Sequence, residues 1–134
     1  MKQKLKCILL VDDDAATNYL HKRVVKDEGV AEEIVTADNG EVALKFLQQL
    51  AAENQPPPEL IFLDINMPVV NAWEFLEVYQ HLPEAQKSKT VIVMLTTSLN
   101  PEDQTRAGEF AEIASFKFKP LDAEMLNEVL EKIS

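Results

Sequence analysis

Cys7-Ile8-Leu9-Leu10-Val11-Asp12-Asp13-Asp14 opens the chain with a β-branched, apolar run that stops at three consecutive acids. Leu60-Ile61-Phe62-Leu63-Asp64 repeats the pattern fifty residues on, again with a carboxylate where the apolar run ends. A run that is apolar on both faces reads as a strand in the interior of a parallel sheet. Acids at the tips of such strands are candidates for chemistry.

Outward from these two runs, short strand patterns alternate with helical ones. That alternation predicts a parallel sheet with helices on both faces, an α/β fold. The first strand spans Lys6 to Val11. A helix follows from about Ala15 to Glu28, with Asp14 as N-cap and Gly29 as its stop. Ile34 to Ala37 forms a short second strand. The second helix is read with Val42, Ala43, Phe46, Leu47 and Leu50 on its inner stripe, and it dissolves into Ala52-Glu53-Asn54-Gln55-Pro56-Pro57-Pro58. The prolines read as a stiff, exposed spacer.

The third strand spans Leu60 to Leu63. The third helix packs Phe75, Leu76, Tyr79 and Leu82 and is closed by Pro83. Val91 to Leu95, apolar throughout, is placed in the centre of the sheet. Asn100-Pro101-Glu102-Asp103 supplies an N-cap, a first-position proline and two acids at the positive end of a fourth helix. Ser115 to Phe118 is the last strand. The last helix carries Met125, Leu126, Val129, Leu130 and Ile133 along one stripe, and the 134 residues are expected to form one domain, residues 1–134, with no output domain.

Composition restricts the setting. A formal net charge of −10 disfavours a grip on nucleic acid or an anionic membrane, both of which call for basic surface. One cysteine, Cys7, cannot form an internal disulfide, and no apolar run approaches the roughly 20 residues of a membrane span. A soluble protein of a reducing, cytoplasmic compartment is expected. Three glycines leave no phosphate-binding loop. His21 and His81 lack metal-ligand spacing and are read as surface residues, and Trp73 as a packing residue.

In a sheet of this kind, polar residues just past the strands' C-terminal ends converge on one crevice. Those positions hold Asp12, Asp13, Asp64, Thr96 and Lys119. Three carboxylates within about 5 Å of one another repel by roughly 3 kcal/mol per pair at an effective dielectric near 20, which calls for a cation. An oxygen-only donor set suits Mg²⁺ or Mn²⁺.

The acid pair Asp12-Asp13, the box Leu63-Asp64-Ile65-Asn66-Met67-Pro68, Thr96 and Lys119-Pro120 occur in order, each at a strand end. Together they resemble the receiver domain of two-component response regulators, in the stand-alone form similar to the chemotaxis response regulator. The resemblance covers essentially the whole chain and implies a flavodoxin-like, doubly wound sheet of five parallel strands in the order 2-1-3-4-5. It implies Asp64 as phosphoacceptor, taking a phosphoryl group from a histidine kinase, a histidine phosphotransfer protein or a small donor such as acetyl phosphate. Asp13 and Asp64 would ligate Mg²⁺ directly, Asp12 largely through water, with the Asn66 carbonyl completing the set. Lys119, ahead of a cis Lys119-Pro120 bond, would pair with Asp64 and then with a phosphoryl oxygen.

The same resemblance gives Thr96 a hydroxyl contact with the phosphate. It also gives a switch in which Phe116 turns inward as Thr96 moves, changing the binding of a protein effector. Asn66 and Ser98, small and polar, offer no barrier to water and imply a short-lived phosphate. The chain departs from the family pattern at Val69-Val70-Asn71-Ala72, where Asp-Gly is common at the last two positions, at Phe116, commonly tyrosine, and at Phe110 to Ala114, which lacks a glycine near Ser115. Two other readings compete with this one. A haloacid-dehalogenase-type phosphatase also uses a strand-end aspartate with Mg²⁺, but wants an acid where Asn66 stands; a pseudo-receiver scaffold would have no use for the intact acids, Thr96 and Lys119.

Overall fold

A computed structural model describes residues 4–65, 67, 71–87, 90–97, 101–110 and 113–133. Five strands, β1 (Leu5–Val11), β2 (Ala31–Ala37), β3 (Leu60–Asp64), β4 (Val91–Thr96) and β5 (Ile113–Phe118), form one parallel sheet in the order β2-β1-β3-β4-β5. The helices are α1 (Ala15–Glu28), α2 (Gly40–Ala52), α3 (Ala72–Tyr79), α4 (Pro101–Ala107) and α5 (Ala123–Ile133). Every strand except β5 is followed by a helix before the next strand in sequence is built, and β5 leads into α5. This is the doubly wound, flavodoxin-like architecture that the family resemblance implies.

The two faces of the sheet are buried separately. On one, α1 and α5 place Val25, Leu126, Val129 and Leu130 against Ile8, Leu10, Leu60, Phe62, Val93 and Leu95. On the other, α2, α3 and α4 place Leu44, Leu47, Trp73, Phe75, Leu76, Tyr79 and Ala107 against Leu9, Val11, Ile61, Leu63, Ile92 and Met94. Odd and even residues of each strand therefore serve opposite faces, as the period of two requires.

Local signals set most helix ends. The Asp14 side chain accepts the Ala16 N–H, and Gly29, at φ 62°, ends α1 in the left-handed conformation that costs glycine nothing. Asn39 caps α2 through the Val42 N–H. Asn71 and Glu74 form a reciprocal capping box at the start of α3. The cap expected from Asn100 lies outside the described residues.

Several expectations need correction. In α2 the inward stripe is Ala43, Leu44 and Leu47; Val42 is 47% exposed, while Phe46 and Leu50 are half-buried. The buried stripe is thus displaced by one position from the expected one. α3 stops at Tyr79, and Leu82 is held in a following turn by its N–H to the Tyr79 carbonyl, so the helix closes before Pro83 can end it. β4 lies inside the sheet, but the central strand is β3. β2 begins at Ala31, three residues early, because an edge strand can expose Glu32 and Glu33. Pro56 is exposed as expected of a spacer, whereas Pro58 is buried beside β3. Cys7 is half-buried, and burial together with Glu33 and Glu59 pushes its thiol up to about 11, so it stays protonated and inert.

Candidate functional site

At the C-terminal edge of the sheet the strand tips bring together Asp12 after β1, Asp64 ending β3, Thr96 ending β4 and Lys119 after β5. Asp12, Asp64 and Thr96 are 3%, 4% and 1% exposed, while Asp13 faces solvent. One carboxylate oxygen from each of Asp12, Asp13 and Asp64 lies within 4.8 Å of the others. Such a cluster is electrostatically strained in isolation, and its oxygen-only chemistry fits a hard divalent cation.

The Lys119 ammonium relieves part of that strain. Its Nζ lies 2.6 Å from Asp12 Oδ2 and 3.1 Å from Asp64 Oδ1, so the expected pairing with Asp64 is present and a closer one with Asp12 accompanies it. Burial alone would lower the lysine's pKa; hydrogen bonds and attraction to Asp12 and Asp64 outweigh it and raise the pKa above its ordinary value. Lys119 is therefore a fixed cation at any physiological pH. Its own N–H donates to the Thr96 carbonyl at 2.8 Å, which ties its backbone to the neighbouring strand tip. The Lys119-Pro120 bond is cis, as the resemblance implied.

Asp12 is held from behind. Its Oδ1 accepts the Asp14 N–H at 2.9 Å, and the Asn18 amide nitrogen donates to the Asp12 carbonyl at 2.9 Å and to the Ala37 carbonyl at 3.2 Å. A single side chain on α1 thus staples the ends of β1 and β2. Three residues along the same helix, His21 is 3% exposed and its Nε2 accepts the Leu121 N–H at 3.2 Å. This overturns the surface reading of His21. Burial, the larger influence, together with Lys119 lowers its pKa, while Asp12 opposes them. Asn18, His21 and Val25 are the buried residues of α1. Their spacing of three and four, a stripe on one helix face, is the signal by which the sequence could have revealed both polar members. His81 is exposed as expected.

Phe116 is half-buried on edge strand β5 and packs against the α2, α3 and α4 face. Phe116 pairs with Met94 and Phe118 with Thr96, so Thr96 and Phe116 lie on the same face of neighbouring strands. Trp73 is a packing residue: it stacks on Phe110 at 6.0 Å between ring centroids, with the Arg106 guanidinium 5.3 Å from its ring. Asn66, Ser98, Val69 and Val70, and the stretch Ala111-Glu112, lie outside the described residues.

The response regulator receiver domain model matches residues 8–131. The chain belongs to this family. It is a receiver domain of two-component signalling, of the kind found in the chemotaxis response regulator. Over 99 residues it is 37% identical to the response regulator Rcp1 of Synechocystis, covering 73% of this chain and 66% of Rcp1. With the probable cyclic di-GMP phosphodiesterase of Vibrio cholerae it shares 29% identity, covering 94% of this chain and 26% of that much longer protein. The crystal structure of a two-component response regulator from Cytophaga hutchinsonii superposes with a TM-score of 0.88 at 32% identity, covering 98% of both chains. The structure of the Mn²⁺-bound form of Rcp1 matches with a TM-score of 0.72 at 32% identity, covering 96% of this chain and 91% of that one. Receiver domains are signalling domains that bind a divalent metal at an acidic pocket and are phosphorylated by histidine kinases or phosphotransfer proteins. Among the described residues no helix is long and apolar enough to cross a membrane.

Proposed function

We propose that Asp64 is the phosphoacceptor of this receiver domain and that its phosphorylation changes the binding of a protein effector. The observation that carries the reading is the convergence of Lys119 from β5 on the carboxylates of Asp64 from β3 and Asp12 from β1, at 3.1 and 2.6 Å. A carboxylate that attacks phosphorus approaches a group that is already anionic. A pre-placed ammonium absorbs part of the charge on the equatorial oxygens without having to reorganise, and lysine suits this role as a point charge.

Asp12, Asp13 and Asp64, with the Asn66 carbonyl, would hold Mg²⁺ or Mn²⁺, whose charge would neutralise the phosphoryl oxygens in the transition state. In the step itself an Asp64 carboxylate oxygen forms a bond to phosphorus. The P–N bond of a donor phosphohistidine, or the P–O bond of acetyl phosphate, breaks and its electron pair leaves with the donor. Lys119 transfers its hydrogen bond from Asp64 to a phosphoryl oxygen, and the Thr96 hydroxyl donates to another. Phe116, on the same face as Thr96, follows it inward and presents the altered surface. Asn66 and Ser98 set how fast water removes the phosphate.

The domain promotes its own phosphorylation and dephosphorylation and turns over no other substrate. A sensor histidine kinase or a histidine phosphotransfer protein is the donor. Residues 1–134 act as one receiver unit, with neither nucleic acid nor membrane as a direct partner. A haloacid-dehalogenase-type phosphatase would place a second acid where Asn66 stands, and a scaffold that never takes phosphate would not keep a lysine poised between two acids.

Incubation with acetyl phosphate and Mg²⁺, followed by intact mass measurement, tests the assignment. Wild type is expected to gain one phosphoryl group and Asp64→Ala none. Equal gain by both chains, or none by wild type, overturns it; turnover of a simple phosphate ester would revive the phosphatase reading.

A further inference from the structure

The imidazole of His21 is buried on α1, with its Nε2 3.2 Å from the backbone nitrogen of Leu121, a residue 100 positions away in sequence. Leu121, itself 2% exposed, is two residues past Lys119. On its other side the same segment is held by the Lys119 N–H on the Thr96 carbonyl at 2.8 Å. The three residues Lys119 to Leu121 are therefore pinned at both ends, to β4 in front and to α1 behind.

That double anchorage has a consequence for the side chain between the pins. A lysine has four freely rotating bonds and loses considerable rotamer entropy when its ammonium is held at one spot. Fixing its backbone removes part of the disorder that would otherwise move Nζ away from Asp12 and Asp64. The Leu121 N–H, buried beneath α1, also needs an acceptor, since an unpaired amide there would cost about 1–3 kcal/mol. A leucine at position 21 would fill the space but accept nothing.

We propose that His21 is a positioning residue for Lys119, acting through the Leu121 amide as a neutral imidazole with its proton on Nδ1. Nε2 is then the acceptor that the geometry demands. The charged groups that bear on the ring are Asp12 at the end of β1 and Lys119 beyond β5. With burial, Lys119 favours the neutral ring.

The proposal rests on the reading that Lys119 assists transfer to Asp64, and the test separates the two. Phosphorylation by acetyl phosphate at saturating Mg²⁺ is timed in wild type, His21→Leu, Lys119→Ala and the double variant. His21→Leu is expected to slow wild type about five- to tenfold, the factor carried by one ordinary hydrogen bond. It should add nothing in the Lys119→Ala chain, because the group it positions is gone. His21→Gln, which restores a neutral acceptor, should recover most of the rate.

An undiminished effect of His21→Leu in the Lys119→Ala chain, or no effect in wild type, overturns the proposal. Nitrogen-15 NMR of the wild-type chain decides independently of folding of the variants and of whether Asp64 takes phosphate. An unprotonated Nε2 with a protected Leu121 amide supports the assignment, and a protonated Nε2 overturns it.

Discussion

The two faces of the sheet are built from different materials. Beneath α2, α3 and α4 the contacts are apolar and aromatic, with Phe75, Leu76 and Tyr79 almost wholly buried. Beneath α1 and α5 the apolar core is interrupted near the strand ends by Asn18 and His21, both 3% exposed and both bonded to backbone that carries site residues. Away from the strand tip that carries Thr96, the first face supplies stability through apolar packing, whereas the other spends burial on hydrogen bonds that direct. Apolar packing can be replaced by packing of similar volume; a buried acceptor cannot be replaced by bulk.

The largest expected effect lies on the apolar face. Phe75→Ala removes a ring with no solvent exposure that stacks on Tyr79 at 6.0 Å, and should cost about 3–5 kcal/mol, a large fraction of the stability of an ordinary domain. Urea denaturation should show the midpoint falling while the slope holds. The folded fraction should still take phosphate at the wild-type rate, since no site group is bonded to Phe75. A rate loss exceeding the folded-fraction loss would break the division between the faces.

The second effect belongs to the polar face and depends on pH. Burial lowers the pKa of His21 in the folded state below the ordinary 6.5. Between the folded and unfolded pKa values the unfolded chain binds the extra proton, so this contribution is fully present above about 6.5 and is lost as pH falls toward the folded value. The slope for one proton is at most about 1.4 kcal/mol per pH unit. Carboxylates also titrate in acid, so the measurement is the difference between wild type and His21→Gln in urea midpoints from pH 7 to 5. A constant difference would show that His21 binds its proton equally in the folded and unfolded chains, so that burial does not lower its pKa.

How far the sequence could be read follows the same division. Apolar runs ending in acids encode the strands and their tips, and Asp12, Asp13, Asp64, Thr96 and Lys119 all fall on those tips. The exposed half of β2 escaped because Glu32 and Glu33 suit an edge strand as well as a loop. His21 escaped because a lone histidine on a helix is usually solvated, and its acceptor role depends on an amide contributed from 100 residues away. In α2 both Val42 and Leu44 suit a stripe built on Ala43 and Leu47, and hydrophobic periodicity cannot resolve a shift of one position. What the sequence hid was mostly hydrogen bonding at a distance.

The smallest effect concerns the site end of the apolar face. Asn71 accepts the Glu74 N–H at 3.0 Å, and Glu74 Oε1 accepts the Asn71 N–H at 3.2 Å, which holds the first turn of α3. Asn71 is half-buried, so its loss leaves no deep cavity, and Asn71→Ala should cost about 1 kcal/mol through unsatisfied helix N–H groups alone. If the cap holds only the helix, Glu74→Ala in the same background should add little, because the reciprocal pair is already broken. A cost well above about 2 kcal/mol would mean that Asn71 contributes more than its cap, and that this helix end is held by packing that its hydrogen bonds do not account for.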